Sequence, residues 1–398
     1  MVRTPAPSDR GLGGTRVLGA HNARRGTSVT AVRATLTRTA QRGPGQTAYV
    51  SGFPYPASLA DVTLPGPADR HVYAVPLVER FRGITVREGL LLRGPAGWGD
   101  FCPFAEYDDD VAVPWLAAAL EAAWLGWPAP VRAEVEVNAT VPAVGPDRAA
   151  EIVRAAGART AKVKVADAPG SLAEDADRLR AVRAALGPGG HVRVDANGRW
   201  DVTTAVHALA VLDDAAGGLQ YAEQPCATVA ELAAVRARTQ VPIAADESIR
   251  RAEDPLAVAR AGAADVAVLK CTPLGGVRRA LAVAARLEAE AGLPVVVSSA
   301  LETGVGLAAE LALAGALPRL DLACGVGTLA LFAGDVVAAP ALARPGTLPV
   351  PRETPAPDPD LLERHAQRDP ARLQWWHERV GRVHVRLRAA MREQTLTA

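Results

Sequence analysis

From residue 146 onward the chain alternates short apolar runs with helix-like stretches, and few folds satisfy that alternation. The apolar runs are Thr160–Val165, His191–Asp195, Gly218–Glu223, Pro242–Asp246, Val266–Lys270, Pro294–Ser299 and Leu322–Val326. Stretches of helical composition fall at Asp147–Ala156, Ala173–Leu186, Thr203–Leu212, Val229–Thr239 and Gly276–Glu290. Runs spaced by about 22–32 residues with helices between them read as βαβ units, because parallel strands need a crossover of a dozen or more residues. Seven or eight such units, with no Gly-x-Gly-x-x-Gly after the first strand, favour a closed (β/α) barrel over a dinucleotide-binding sheet. The class is α/β.

The remainder of the 398 residues divides by texture. Residues 1–45 carry eight arginines against one acid, Asp9, with no sustained apolar period. Such a composition does not offset its ordering entropy, so residues 1–67 are expected to form a disordered extension. Residues 68–145 read as a small α+β domain. His71–Pro76 and Thr85–Leu92 are strand-like, Trp115–Leu125 is an apolar helix preceded by Asp108–Asp110 and Pro114, and Val131–Thr140 is a further strand. The barrel is expected over 146–340. Residues 341–398 form a Pro-rich and then helical segment that Trp375 and Trp376 pin back onto the body.

The chain holds 44 basic residues, and only Lys162, Lys164 and Lys270 are lysines. Arginine keeps its proton in proteins, whereas a lysine gives it up when its surroundings disfavour the charge. All three lysines fall at the ends of apolar runs, where this type of barrel places its reactive groups. Lys162 and Lys164 are two apart, so both side chains leave the strand on the same face, into the barrel mouth. The same parity pairs Asp195 with Asn197.

The steps Lys164→Asp195→Glu223→Asp246→Lys270 are 31, 28, 23 and 24 residues, each about one βα unit. Successive strands therefore deliver amine, three carboxylates and amine around the rim. Three crowded carboxylates repel one another unless a divalent cation stands among them, and all-oxygen ligation suits Mg²⁺. Asp195, Glu223 and Asp246 are the candidate metal ligands. Parity turns Glu247 away from Asp246, into a supporting place beside Asn197. Arg82, Ser298 and Ser299 are candidate substrate contacts, with helix capping as the plainer reading of the serines. Gly275-Gly276 and Gly325–Gly327 could cradle an anion or simply form tight turns.

Composition excludes several classes. A net charge of +1 argues against nucleic-acid binding by bulk electrostatics. No apolar run reaches the roughly 18 residues of a membrane span. Cys102, Cys226, Cys271 and Cys324 form no paired zinc spacing and suit a reducing, cytoplasmic compartment. The histidines are in no paired spacing either. The expected partner is a small-molecule carboxylate, and oligomeric state is left open.

The segments RFRGITVREG (80–89), AKVKV (161–165), VRVDANGRW (192–200), YAEQPC (221–226), PIAADES (242–248), VLKCTPLGG (268–276) and VSSALETGVG (297–306) resemble the enolase superfamily. The closest likeness is to the o-succinylbenzoate synthases of actinobacterial type, over about residues 69–360. The resemblance implies an enolase-like fold, an α+β capping domain closing over a (β/α)7β TIM-type barrel. It further implies Mg²⁺-dependent syn dehydration of 2-succinyl-6-hydroxy-2,4-cyclohexadiene-1-carboxylate to 2-succinylbenzoate through an enediolate, in menaquinone biosynthesis. Carried over motif by motif, Asp195, Glu223 and Asp246 hold the metal, Lys164 removes the α-proton, Lys162 is its partner and Lys270 is the cation on the other face. Pairing a lysine base with Mg²⁺ is the known pattern of such sites. An N-acylamino-acid racemase or dipeptide epimerase uses the same half-reaction and reprotonates on the opposite face. A catalytically silent scaffold is the rival from another class.

Overall fold

The computed structural model describes residues 53–251, 254–338 and 345–397. The first folded layer is an antiparallel meander of β1 (Arg70–Phe81), β2 (Ile84–Gly94) and β3 (Gly97–Phe101). Helix α1 (Asp109–Leu120) covers it, and a π-helical turn over Glu121–Leu125 follows. The helix begins before Pro114 rather than after it. Asp108 accepts the amide of Val111 at 2.8 Å, and Asp109 and Asp110 in the first turn suit the positive end of the helix dipole.

Strand β4 (Glu134–Glu136) leaves this layer, and β5 (Asn138–Val141) opens the barrel. The barrel therefore starts inside the 68–145 stretch assigned to the cap by its texture. The single strand read over Val131–Thr140 is thus two, and its second part joins the barrel sheet by pairing Asn138–Val141 with Thr160–Val163. After α2 (Pro146–Ala156) come β6 (Thr160–Lys164), α3 (Leu172–Leu186), β7 (His191–Asp195), α4 (Val202–Ala216), β8 (Tyr221–Glu223) and α5 (Val229–Arg236). Then follow β9 (Ile243–Ala245), the short helices α6 (Glu247–Arg250) and α7 (Ala257–Arg260), β10 (Val266–Leu269), α8 (Cys271–Leu274), α9 (Val277–Ala291), β11 (Val295–Val297) and α10 (Gly304–Ala316).

Strands β5 to β11 form one parallel sheet in chain order. The expected eighth strand, Leu322–Val326, is reduced to bridges that nonetheless join the two edges. Cys324 donates to the Glu136 carbonyl at 2.6 Å and accepts from Asn138 at 2.9 Å, while Gly325 donates to Val297 at 2.8 Å and accepts from Ser299 at 3.0 Å. Adjacent β-ends along the ring follow from the right-handed β-α-β connection. Strand β12 (Thr347–Pro349) pairs with β4, and α11 (Pro359–Arg364) leads to the long α12 (Pro370–Thr397).

Helix α12 packs on the cap. Trp376 is buried edge-on to Phe101, with ring centroids 6.0 Å apart. Arg379 donates to the carbonyls of Phe104 and Tyr107, and Arg382 and Arg386 pair with Asp109 and Asp110. Four cysteines are free and buried, and no helix among the described residues is long and apolar enough to cross a membrane.

Residues 53–67 depart from the expected extension. Phe53, Tyr55, Leu59 and Val62 are all buried in the main core, Tyr55 donates its amide to Gln394 at 3.2 Å, and Arg279 stacks over the Tyr55 ring. Their apolar spacing is too irregular to read as an element, and their partners lie hundreds of residues away. The part of the expected extension at 1–52 lies outside the described residues. A chain starting at residue 53 is therefore expected to unfold at a clearly higher urea midpoint than one starting at residue 69. Each buried side chain of this size is worth about 1.5–3 kcal/mol against exposure. Equal midpoints would show that the segment adds nothing.

Candidate active site

The C-terminal strand ends of the barrel, the cap hairpin and the loop after β11 enclose one cavity. It is lined by Lys162 and Lys164 from β6, Asp195 from β7, Asn197, Lys270, Ser298 and Ser299, with Phe81 and Arg82 reaching in from the cap. Lys164, which ends β6, and Lys270, which follows β10, thus share a single space across β7, β8 and β9. Only about 30 Å³ stays open between the side chains. A second space of about 580 Å³ adjoins it and shares Phe81, Arg82, Lys164 and Asn197. Glu247 and Arg251 belong to this outer space.

Strand register explains the inner arrangement. Lys164 is level with Asp195, and Asp195 with Glu223, so the three side chains project from neighbouring strands at one height. Lys162 Nζ donates to both oxygens of Glu223 at 2.9 Å and to Asp195 Oδ2 at 3.3 Å. Lys164 Nζ donates to the same Asp195 oxygen at 2.5 Å and to Asn197 Oδ1 at 2.8 Å. On the far side, Lys270 Nζ donates to Asp246 Oδ2 at 2.5 Å, and Arg250 donates to Asp246 Oδ1 at 2.8 Å. Lys270 follows β10 as the residue that caps α8, and Asp246 stands in the same relation to α6.

Electrostatics separate the two lysines of β6. Burial alone would lower Lys162, but Glu223 and Asp195 overcome it and hold its ammonium above the usual lysine range. Lys164 goes the other way: burial lowers it, and the neighbouring Lys162 charge adds to that against the pull of Asp195. Two groups two residues apart are therefore shifted in opposite directions. Asp195 is buried yet lies below the ordinary carboxylate range, because Lys164 and Lys162 stabilise its anion. Burial, then the charges of Asp195 and Asp246, push Glu223 up to about 7. Asp246 is held low, against its burial, by Arg250 and Lys270.

Asp195, Glu223 and Asp246 are the oxygen donors that can hold a divalent cation. They do not stand as a finished cage: among the described residues no three acidic, histidine or cysteine side chains are grouped closely enough to grip one ion. Each acid is instead engaged by a cationic side chain. The donor set nonetheless fits a hard dication such as Mg²⁺, since all three offer carboxylate oxygen. The mutual repulsion that lifts Glu223 is also of the kind a dication relieves.

The other expected contacts have mixed placements. Asn197, in a left-handed conformation at φ 50°, bridges Lys164 to Glu247, whose carboxylate lies 3.3 Å from its amide nitrogen and also binds Arg250. Arg82 sits at the tip of the β1–β2 hairpin with φ 51°, its guanidinium over the Phe104 ring. Both serines face the cavity, but neither caps α10. Ser298 donates to the Gly325 carbonyl at 3.3 Å, and Ser299 accepts the amide of Leu301 at 2.8 Å while its hydroxyl is hydrogen-bonded to that of Thr328 at 2.7 Å. The amides of Gly275 and Gly276 donate within their own turn, to the carbonyls of Thr272 at 3.2 Å and Cys271 at 3.0 Å. A side chain on Gly276 would collide with Glu121, whose carboxylate accepts the amide of Arg278 at 3.2 Å at the start of α9.

Sequence reasoning missed Phe81, Thr140, Leu301 and Thr328 in the cavity wall. Phe81 lies beneath Lys164, whose ammonium is 5.4 Å from the ring centroid. It missed Glu302 and Glu310 as well. The signal for Glu310 was present: it is the one charge in the apolar stretch 304–317, where an acid survives burial only with partners.

Comparison with known proteins follows the same division. The family described as enolase C-terminal domain-like matches residues 146–355, and enolase N-terminal domain-like matches residues 72–123. The o-succinylbenzoate synthase of Thermobifida fusca (strain YX) is 63% identical over 280 residues, 70% of this chain and 86% of that protein. That of Mycolicibacterium smegmatis is 55% identical over 316 residues, covering 79% and 95%. Among solved structures, the L-Ala-D/L-Glu epimerase from Bacillus subtilis superposes with TM-score 0.63 at 24% identity, covering 72% of this chain and 96% of that one. Muconate lactonizing enzyme from Pseudomonas fluorescens gives 0.64 at 22%, covering 75% and 98%. At such identities these two structures bear on the fold alone.

Proposed function

The chain belongs to the enolase superfamily and, within it, to the o-succinylbenzoate synthases, and on that premise we propose a role for each group around the cavity. The reaction is the dehydration of 2-succinyl-6-hydroxy-2,4-cyclohexadiene-1-carboxylate to 2-succinylbenzoate. Lys164 Nζ takes the proton from the ring carbon that bears the carboxylate. The resulting enediolate expels the neighbouring hydroxyl, and Lys164 returns its proton to that leaving oxygen, so the products are water and an aromatic ring. Lys162, clamped by Glu223 and Asp195, stays an ammonium and disfavours a second positive charge on Lys164. Lys270 faces the opposite side of the ring as a cation. Asp195, Glu223 and Asp246 would hold a divalent cation, Mg²⁺ by ligand chemistry. When bound, Mg²⁺ would neutralise charge developing on the substrate carboxylate as the α-proton leaves. Asn197 and Glu247 orient Lys164 and the acids from behind, and Arg82, Ser298 and Ser299 border the space for the substrate.

The observation that carries this reading is the meeting of Lys162, Lys164 and Lys270 in one cavity with the acids on the strands between them. A lysine on each face also suits a racemase, and one experiment separates the two. The protein is incubated in D₂O with Mg²⁺ and either the cyclohexadiene acid or an N-succinyl amino acid. Formation of 2-succinylbenzoate is expected to dominate. Rapid α-deuteration of the amino acid with little dehydration would replace the lyase with a racemase.

A further inference from the structure

Two fully buried glutamates have no part in the scheme above. Glu302 lies in the loop after β11 and Glu310 on α10, and both hold residues next to Lys270. The amides of Cys271 and Thr272 donate to Glu310 at 2.7 and 3.3 Å, and the Thr272 hydroxyl donates to Glu302 at 2.7 Å. Both oxygens of Glu302 also take the amide of Ala300, at 3.0 and 2.9 Å. Ala300 and Leu301 are cavity wall. The two glutamates therefore fasten the turn carrying Lys270 to the loop that faces it.

The cap grips the same loop. Arg87 on β2 donates to the Leu301 carbonyl at 2.7 Å, and Asp100 on β3 accepts the hydroxyl and amide of Thr303 at 2.8 and 3.3 Å. Tyr73 donates to the other Asp100 oxygen at 2.9 Å. Leu301 is held at φ 69°, a conformation a leucine does not keep without restraint. Arg87, Asp100, Thr272, Glu302, Thr303 and Glu310 are all buried. Burial, and then the charge of Glu302, raises the Glu310 carboxyl well above the usual range, and burial likewise lifts Asp100 to about 6. Acids this deep are tolerated only where hydrogen bonds occupy their oxygens, and here the donors are backbone amides together with the hydroxyls of Tyr73, Thr272 and Thr303.

We propose that Glu302 and Glu310 are positioning residues for Lys270, and that through the 300–303 loop they make its placement depend on the seating of Arg87 and Asp100 in the cap. The proposal rests on the reading of Lys270 as the cation of the second face. Lys270 is already shared with Asp246 at 2.5 Å, so a small drift of its turn changes which group its ammonium serves. Misplacement by about 1 Å can cost on the order of 10²-fold in rate.

The test compares Glu302→Gln, Thr272→Val and Thr272→Ser in the full chain with Mg²⁺. Glu302→Gln and Thr272→Val are expected to lower kcat roughly 10- to 100-fold with KM within about 3-fold, because the lost contact matters in the transition state. Unfolding midpoints should stay near the parent's, and Thr272→Ser should recover most of the turnover that Thr272→Val loses. In a Lys270→Ala background, assayed at raised enzyme concentration, Glu302→Gln should change the residual rate by less than about 2-fold. An unchanged kcat, or the same loss with and without Lys270, overturns the proposal. Should Glu302→Gln fail to fold, the two Thr272 variants decide. A parent chain that forms no 2-succinylbenzoate refutes the proposed function instead, whereas a working parent matched by its variants refutes only the positioning role.

Discussion

Lys164→Arg is expected to lower kcat by roughly 10²- to 10⁴-fold, the range associated with losing a positioned general base. Arginine keeps the charge and most of the reach, so it can still satisfy Asp195 and Asn197, which the lysine bonds at 2.5 and 2.8 Å. It does not release its proton at any pH at which the fold survives. The substitution therefore separates the ion pair from the proton transfer, which alanine would not do. Binding of 2-succinylbenzoate, measured by calorimetry, should move far less than kcat. Turnover within a few-fold of the parent would remove Lys164 from the mechanism and leave Lys270 as the base.

Stripping divalent cations with a chelator is expected to abolish measurable dehydration, and adding Mg²⁺ to restore it. The substrate's α-proton is weakly acidic, and the anion formed on its removal carries two negative charges next to Asp195, Glu223 and Asp246. The ammonium groups of Lys162 and Lys270 are already committed to those acids at 2.9 and 2.5 Å. Their charge is already matched by those acids, so the two charges of the substrate anion call for a further cation. Specific binding to the folded state also raises its stability by mass action, so the melting temperature should climb with Mg²⁺ and the climb should shrink in Asp195→Asn. Full turnover in chelator, with no thermal response to Mg²⁺, would show that the three acids serve the lysines alone.

Sequence by itself determined which residues meet. Side chains two apart on a strand leave the same face, so Lys162 and Lys164 had to enter the barrel together. Consecutive parallel strands lie side by side, so spacings of one βα unit had to bring Asp195, Glu223 and Asp246 into a row. Those are local or nearest-neighbour constraints, and local patterns express them. The tertiary structure alone decided how the row is used: which ammonium holds which acid, that β5 is a barrel strand, that the eighth strand shrinks to bridges around Cys324 and Gly325, and that Phe53, Tyr55, Leu59 and Val62 are core. It also decided the bridge from Arg87 to Leu301 and from Asp100 to Thr303, contacts spanning more than two hundred residues. No periodicity records such a contact, because its stability comes from shared burial after the cap has closed on the barrel, when groups with no common local pattern lose water together.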